Sequence, residues 1–410
     1  MEQVLEQLER KEIGELIRSI RKSSGLTLEN LADTNISPAT ISNIERGVPQ
    51  VLYGKIRYLL SKLDISDHQL PELLANLKES HTKQYDLIMA AESLSDFRNL
   101  EEAKEMLRRA EVNNTSDPLY SLKSFVLGKI SLEERQWKLA EVNFNEAIHA
   151  CNNPKSNIIS GSLANLGYVA FHQNDLFKAL DRTNEGLRTF VEGGEREHIR
   201  YFLIQNKAIF LDKLNRVGEA IVTLDEMVEE IHLIQNPIVI THLYHTRASL
   251  SLKTKHYEAA KQFALKGAHT AHQNLLPKHA SMCFSLLAEI HIKLEELDDA
   301  ERYIHLARHI QKGSDDQRLS THTYTQAGIL YIQKGMNEKA NNYLDLAIEN
   351  GKKYGDHFRL ESAYLAKGDV SKNMGYTNEA ISYYKKGLAL ASTNQNIEQE
   401  QQALLRLALI

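Results

Sequence analysis

A small residue recurs through most of this chain, at Ala91, Gly128, Gly167, Ala208, Ala248, Ala288, Gly328 and Gly368. An alanine follows each of them twelve residues later: Ala103, Ala140, Ala179, Ala220, Ala260, Ala300, Ala340 and Ala380. Two helices that cross closely need a small side chain at the crossing, and a strand pattern has no such period. One hairpin cannot bury its apolar face alone, so the repeat predicts a stacked array of about eight helical hairpins of about forty residues each. Phe144, Leu224, Leu344 and Tyr384, each four residues after a second-helix alanine, are expected to fill the gap between hairpins. Pro118, Pro154, Pro237 and Pro277 fall between hairpins, where a helix can begin but not continue.

The fold class expected is therefore all-α. With only seven prolines in 410 residues, long uninterrupted helices are allowed, and that length exceeds what one ordinary core organises. The opening MEQVLEQLERKE is polar and alternately charged, and no apolar run approaches the roughly eighteen residues of a membrane span. A cytoplasmic protein without a membrane partner is expected. Cys151 and Cys283 sit far apart inside helical patterns, as small buried residues do. No P-loop, HExxH, GxSxG or paired CxxC is present, so no enzyme activity and no cofactor are expected. His242 with His245, and His305 with His309, share helix faces, but seventeen histidines make such spacings common, and no metal site is assigned.

The first sixty-six residues lie outside the repeat. IGELIRSIRKSSG carries Ile13, Leu16, Ile17 and Ile20 on one helical stripe and ends at Gly25. Thr27 caps LENLADT, where Leu28, Leu31 and Ala32 face inward and small Ala32 lets the next helix cross closely. Ser37 caps a third helix with Pro38 in its first position; Ile41 and Ile44 bury, leaving Ala39, Thr40 and Asn43 outward, and Gly47 ends it. GKIRYLLSKLDI adds Ile56, Leu59, Leu60 and Leu63. Nine basic and nine acidic residues make this segment neutral, so a single copy gains little from counterion release on DNA, and useful affinity needs two copies on one operator.

This segment, and ISNIERG above all, resembles the Xre/Cro helix-turn-helix family over residues 11–66. Its turn, nine residues from Ala32 to Ile41 without a glycine, is similar to that of PlcR- and NprR-like regulators. It departs from the family in having Leu28 where a phosphate-contacting Gln is common, Pro38 and Ala39 in place of polar base readers, and VPQV without basic residues. The groove-reading rules then assign Asn43 to an adenine edge, Ala39 and Thr40 to a thymine methyl, and Ser37, Ser42 and Arg46 to phosphates. The competing reading is a fold kept for packing or dimerisation.

The hairpins, as in ANLGYVAFHQNDLFKAL and TQAGILYIQKGMNEKA, resemble lengthened tetratricopeptide repeats. The expected organisation is a helix-turn-helix domain over 1–66, a helical linker over 67–80, and a right-handed tetratricopeptide superhelix over 81–410. That combination resembles the RRNPP family of Gram-positive regulators. The resemblance implies a transcription regulator that binds a short signalling peptide in its concave groove and changes its hold on a double-stranded operator with two half-sites, as a homodimer. It equally admits a regulator that sequesters or dephosphorylates a response regulator, with the DNA-binding head inactive.

The groove-facing positions of the first helices are expected to include Asn165, Tyr168, Gln205, Asn206, His242, His245, Thr246, Glu289 and Gln326. This face is polar but mostly uncharged, and side-chain amides donate and accept together, which suits the unpaired backbone of an extended peptide. The resemblance implies that role for Asn165 and Asn206 in particular. Lys129, Lys253 and Lys293 are expected near a peptide carboxylate, and Glu289 near a basic residue.

Overall fold

In the computed structural model, which describes residues 9–115, 117–312 and 320–410, the chain is helical throughout the described residues and has no strand. It divides into two compact units, Met1–Val126 and Leu127–Ile410.

The first unit opens with α1 (Arg10–Ser23), α2 (Leu28–Leu31), α3 (Pro38–Glu45) and α4 (Tyr53–Lys62). Its core is the expected stripe, with Ile13, Ile17, Ile41, Ile44, Leu59 and Leu60 almost wholly buried. The caps form as read. Ser37 accepts the Thr40 amide at 3.2 Å, Thr27 and Asn30 make a reciprocal capping box, and Gly25 and Gly47 take left-handed backbone.

Two expectations are corrected here. The second helix stops at Leu31, because the Asp33 carboxylate accepts the amides of Asn35 and Ile36 at 2.7 and 3.0 Å and so offers the backbone an alternative to helix. Lys62 and Tyr58 also bind that carboxylate and hold it well below the usual range. The close crossing falls at Gly14, not Ala32: a Cβ on Gly14 would overlap the carbonyl oxygen of Ile44. Gly14→Ala is expected to cost about 2 kcal/mol by overpacking α1 against α3. A lower urea midpoint for the first unit, with the repeat signal unchanged, checks it. Beside this crossing Arg21 grips Glu45 through two buried hydrogen bonds, 2.5 and 2.9 Å long.

The segment expected as a linker is continuous with the first repeat helix. Helix α5 (Leu70–Asp96) runs through it, and Leu70 and Leu74 join the core of α1–α4. With α6 (Leu100–Arg109) it makes the first hairpin.

Helix α7 (Tyr120–Glu133) then pairs with α8 (Trp137–Ala150), α9 (Ile158–His172) with α10 (Leu176–Thr189), and α11 (His198–Lys213) with α12 (Val217–Glu229). The later hairpins are α13 (Pro237–Lys253) with α14 (Tyr257–Gln273), α15 (Pro277–Lys293) with α16 (Leu297–Lys312), α17 (Ser320–Gln333) with α18 (Asn337–Tyr354), and α19 (His357–Asn373) with α20 (Thr377–Thr393). Helix α21 (Ile397–Ala408) follows the last hairpin. Pro237 and Pro277 are the first residues of their helices, where a missing N–H costs nothing.

All eight small residues are buried, and all eight second-helix alanines have zero exposure, so the period is a packing period. The large side chains four residues on pack toward the next hairpin, where Leu344 shares a core with Ala366 and Val370 and Leu224 with Val239 and Leu243, and three of them also fill space inside their own hairpin. A Cβ on Gly128 would lie 2.6 Å from the Phe144 ring, one on Gly328 2.5 Å from Leu344, and one on Gly368 would overlap Tyr384. Glycine on the first helix thus makes room for a large residue on the second.

Each hairpin turn also places the residue seven after the small one in left-handed backbone: Arg98, Arg135, Asn174, Asn215, Lys255, Glu295, Gly335 and Gly375. Only four of these are the Asn or Gly that such backbone favours. Among the described residues, no helix is long and apolar enough to cross a membrane.

Candidate functional site

In the second unit the first helices of successive hairpins also pack on one another, and their outward positions form the inner face of the superhelix. Helices α9, α11, α13, α15 and α17 carry the nine residues expected to face the groove, but Gln205 and Gln326, each 5% exposed, are buried among the helices and do not open to it. On α9, Asn165 donates its amide to the carbonyl of Gly161 in its own helix, at 2.8 Å, which holds its carbonyl oxygen in a fixed direction. Tyr168, 39% exposed, sets its ring edge-on to His172 at 4.5 Å, and His172 stacks on Trp137 at 4.7 Å. On α11, Asn206 is half-buried while Gln205 is buried.

The middle of the face is a histidine cluster. His242 on α13 meets His279 of α15 edge to face, with ring centroids 4.9 Å apart. His245, one turn along α13, is half-buried, as are His242 and Thr246. On α17, His322 meets the Glu289 carboxylate at 3.0 Å through Nε2, and the amide nitrogen of Gln326 lies 3.2 Å from the same atom. Gln326 is otherwise buried.

Burial is the main influence on these imidazoles, because a charged ring loses its water there. It pushes His242 and His279 down to about 4 and His245 down to about 3, with neighbouring positive charge adding to the effect. His172 is exposed overall, but its ring lies against Trp137 and Tyr168 and is also pushed down, to about 4. At neutral pH each ring is uncharged and offers one donor and one acceptor, so the cluster behaves like the amides beside it. Glu289 stays below its ordinary value despite burial, because His322 donates to it and stands beside it.

Of the lysines expected near a carboxylate, Lys253 is already paired, to Asp212 at 3.0 Å and Glu398 at 3.3 Å. Sequence reasoning missed a second feature of this face. Phe358, in the first turn of α19, stacks on Phe171 of α9 at 4.8 Å, and Phe171 stacks on Phe210 at 5.3 Å. The Lys213 ammonium stands 4.9 Å over the Phe358 ring. No periodicity signals a contact between the third and eighth hairpins.

In the first unit the six residues assigned to DNA lie together on α3 and its two caps. Ser37, Ala39 and Arg46 are exposed; Thr40, Ser42 and Asn43 are half-buried. Arg46 donates to the Asn43 side-chain oxygen and, at 3.3 Å, to the Ser42 carbonyl. In the free chain the expected base reader and the expected phosphate ligand therefore hold each other.

Residues 361–394 match the tetratricopeptide repeat model. No curated protein sequence matches the chain. Among solved structures, a Rap protein complexed with competence and sporulation factor superposes with a TM-score of 0.61 at 14% identity, covering 95% of this chain and 99% of that one. The apo quorum sensor NprR from B. thuringiensis gives 0.58 at 15% identity, covering 92% and 97%. Aspartyl phosphate phosphatase F from Bacillus subtilis gives 0.53 at 13% identity, covering 95% and 94%. In fold, then, the chain belongs with the tetratricopeptide-repeat superhelices of the Rap proteins and NprR.

Proposed function

We propose that the chain is a cytoplasmic transcription regulator that binds a short signalling peptide along its inner repeat face and, as a homodimer, a two-half-site operator through α3. The observation that carries this reading is the inner face itself. Amides and uncharged histidines from four successive hairpins share one surface, and an extended peptide brings a row of unpaired backbone donors and acceptors that needs such partners. Peptide binding biases the curvature of a superhelix whose repeats touch chiefly their neighbours, and so changes which state holds DNA. The organisation into a head over 1–66, a linker over 67–80 and a peptide-binding array over 81–410 belongs to this proposal.

Asn165→Ala with Asn206→Ala is expected to weaken peptide binding about tenfold, since each amide loses a hydrogen bond made to ligand backbone. Calorimetry with a peptide recovered from spent medium measures it, and unchanged affinity removes the two asparagines from the site.

A second reading rests on the likeness to aspartyl phosphate phosphatase F over nearly the whole chain, together with the neutral head. In it the chain binds a response regulator, and the head serves only as structure. Incubation of the full chain with phosphorylated response regulators separates the two: retention or dephosphorylation of one of them, with no operator found, favours the second.

A further inference from the structure

Stacking contacts in a repeat array join neighbours, yet the first turn of α19 reaches back to the third and fourth hairpins. Phe358 lies nearly parallel to Phe171, 9° from coplanar, and Lys213 at the end of α11 covers its ring. Phe210, 1% exposed, closes the back of the slot by stacking on Phe171. Two polar contacts hold the same approach: Arg135 donates to the Tyr354 carbonyl at 2.7 Å, and Lys253 pairs with Glu398.

The slot belongs to the array, and its occupant is separable from it. Phe171 and Phe210 belong to the core of the third and fourth hairpins, whereas Phe358 is only half-buried. Leu360, two residues on, anchors α19 in its own hairpin core with Ala347, Ile348, Ala363 and Tyr364. Helix α19 therefore has its core without Phe358. A slot between a flat ring and a lysine side chain is a recognition geometry that any aromatic side chain satisfies.

We propose that the slot of Phe171, Phe210 and Lys213 is a subsite for an aromatic side chain of the bound peptide, filled in the free protein by the chain's own Phe358. The proposal rests on the peptide-groove reading and adds its specificity: a peptide with an aromatic residue enters by displacing Phe358 and releasing the eighth hairpin from the third. Ligand affinity is then reduced by the fraction of molecules whose slot is filled, as in any equilibrium where the competent state is a minority.

The test uses the full chain and its Phe358→Ala variant, with Phe177→Ala, an exposed aromatic elsewhere, as control. Without ligand, hydrogen exchange at the end of α9 and across Gly355–Phe358 is expected to quicken about tenfold in Phe358→Ala, with helix content and thermal midpoint kept. Unchanged exchange overturns the self-filled slot. With a randomised synthetic short-peptide pool as probe, Phe358→Ala is expected to retain about tenfold more aromatic-containing peptide than the parent. Equal retention of aromatic and aliphatic sequences overturns the subsite. Retention of no peptide by either protein overturns the peptide-groove reading itself, and the ligand-free exchange tells that result apart from loss of the slot. Should Phe358→Ala fold poorly, Phe358→Leu, which keeps bulk and loses stacking, gives the same directions with smaller changes.

Discussion

Lowering the pH from 7 to 5 is expected to remove about 3 kcal/mol of folding stability from the repeat array. Three half-buried inner-face histidines, His242, His245 and His279, have pKa values pushed down to about 4, 3 and 4. In the unfolded chain a histidine takes its proton near pH 6.5, so below that pH the unfolded state binds protons that the folded state refuses. Stability therefore begins to fall near pH 6.5 and keeps falling until the folded rings themselves protonate, near pH 4 to 3. Unscreened, each ring would account for nearly 2 kcal/mol at pH 5; partial exposure and mutual coupling reduce the sum to about 3. Urea midpoints at the two pH values measure the loss. A His242→Asn, His245→Asn, His279→Asn variant should lose markedly less, and equal losses in both proteins would locate the acid sensitivity elsewhere.

Asn43→Ala with Arg46→Ala is expected to weaken operator binding about a hundredfold. A bidentate amide–adenine pair is worth about 1–3 kcal/mol, and a phosphate contact adds to it. The two side chains hold each other in the free chain, so reading a base requires Arg46 to release the Asn43 oxygen and turn to the backbone. The single variants should then differ in kind. Arg46→Ala lowers the salt dependence by about one phosphate and leaves base preference intact, whereas Asn43→Ala relaxes preference at one position. Equal binding by the double variant and the parent would make α3 a structural element and favour the response-regulator reading.

What the sequence reveals depends on how local the cause is. The hairpins were legible because close helix crossing demands a small residue at a fixed interval, and Ala248, Ala288, Ala103 and Ala380 report that demand directly. The turns were less so. Arg135, Lys255 and Glu295 occupy left-handed backbone without the glycine or asparagine that would announce it, because the packed helices on either side impose the turn. The early end of α2 was hidden in Asp33, whose carboxylate takes two backbone amides on one oxygen while Tyr58 and Lys62, distant in sequence, hold the other.

The site divides the same way. Register along each first helix places Asn165, His242 and His245 on one face, and that much follows from helical period. Sequence position carries no information on which groove residue is already engaged by a distant one. Lys253 reads as a free cation until Asp212 and Glu398 are seen beside it, and Phe358 reads as an ordinary helix-start residue until it stacks on Phe171.

Selection of genomic DNA fragments by the purified chain at one stated salt concentration, with and without a short-peptide fraction of spent medium, tests the central claim most directly. Enrichment of a sequence with two half-sites, strengthened or abolished by the peptide fraction, is the expected result. No enrichment under either condition would contradict a peptide-controlled DNA-binding regulator.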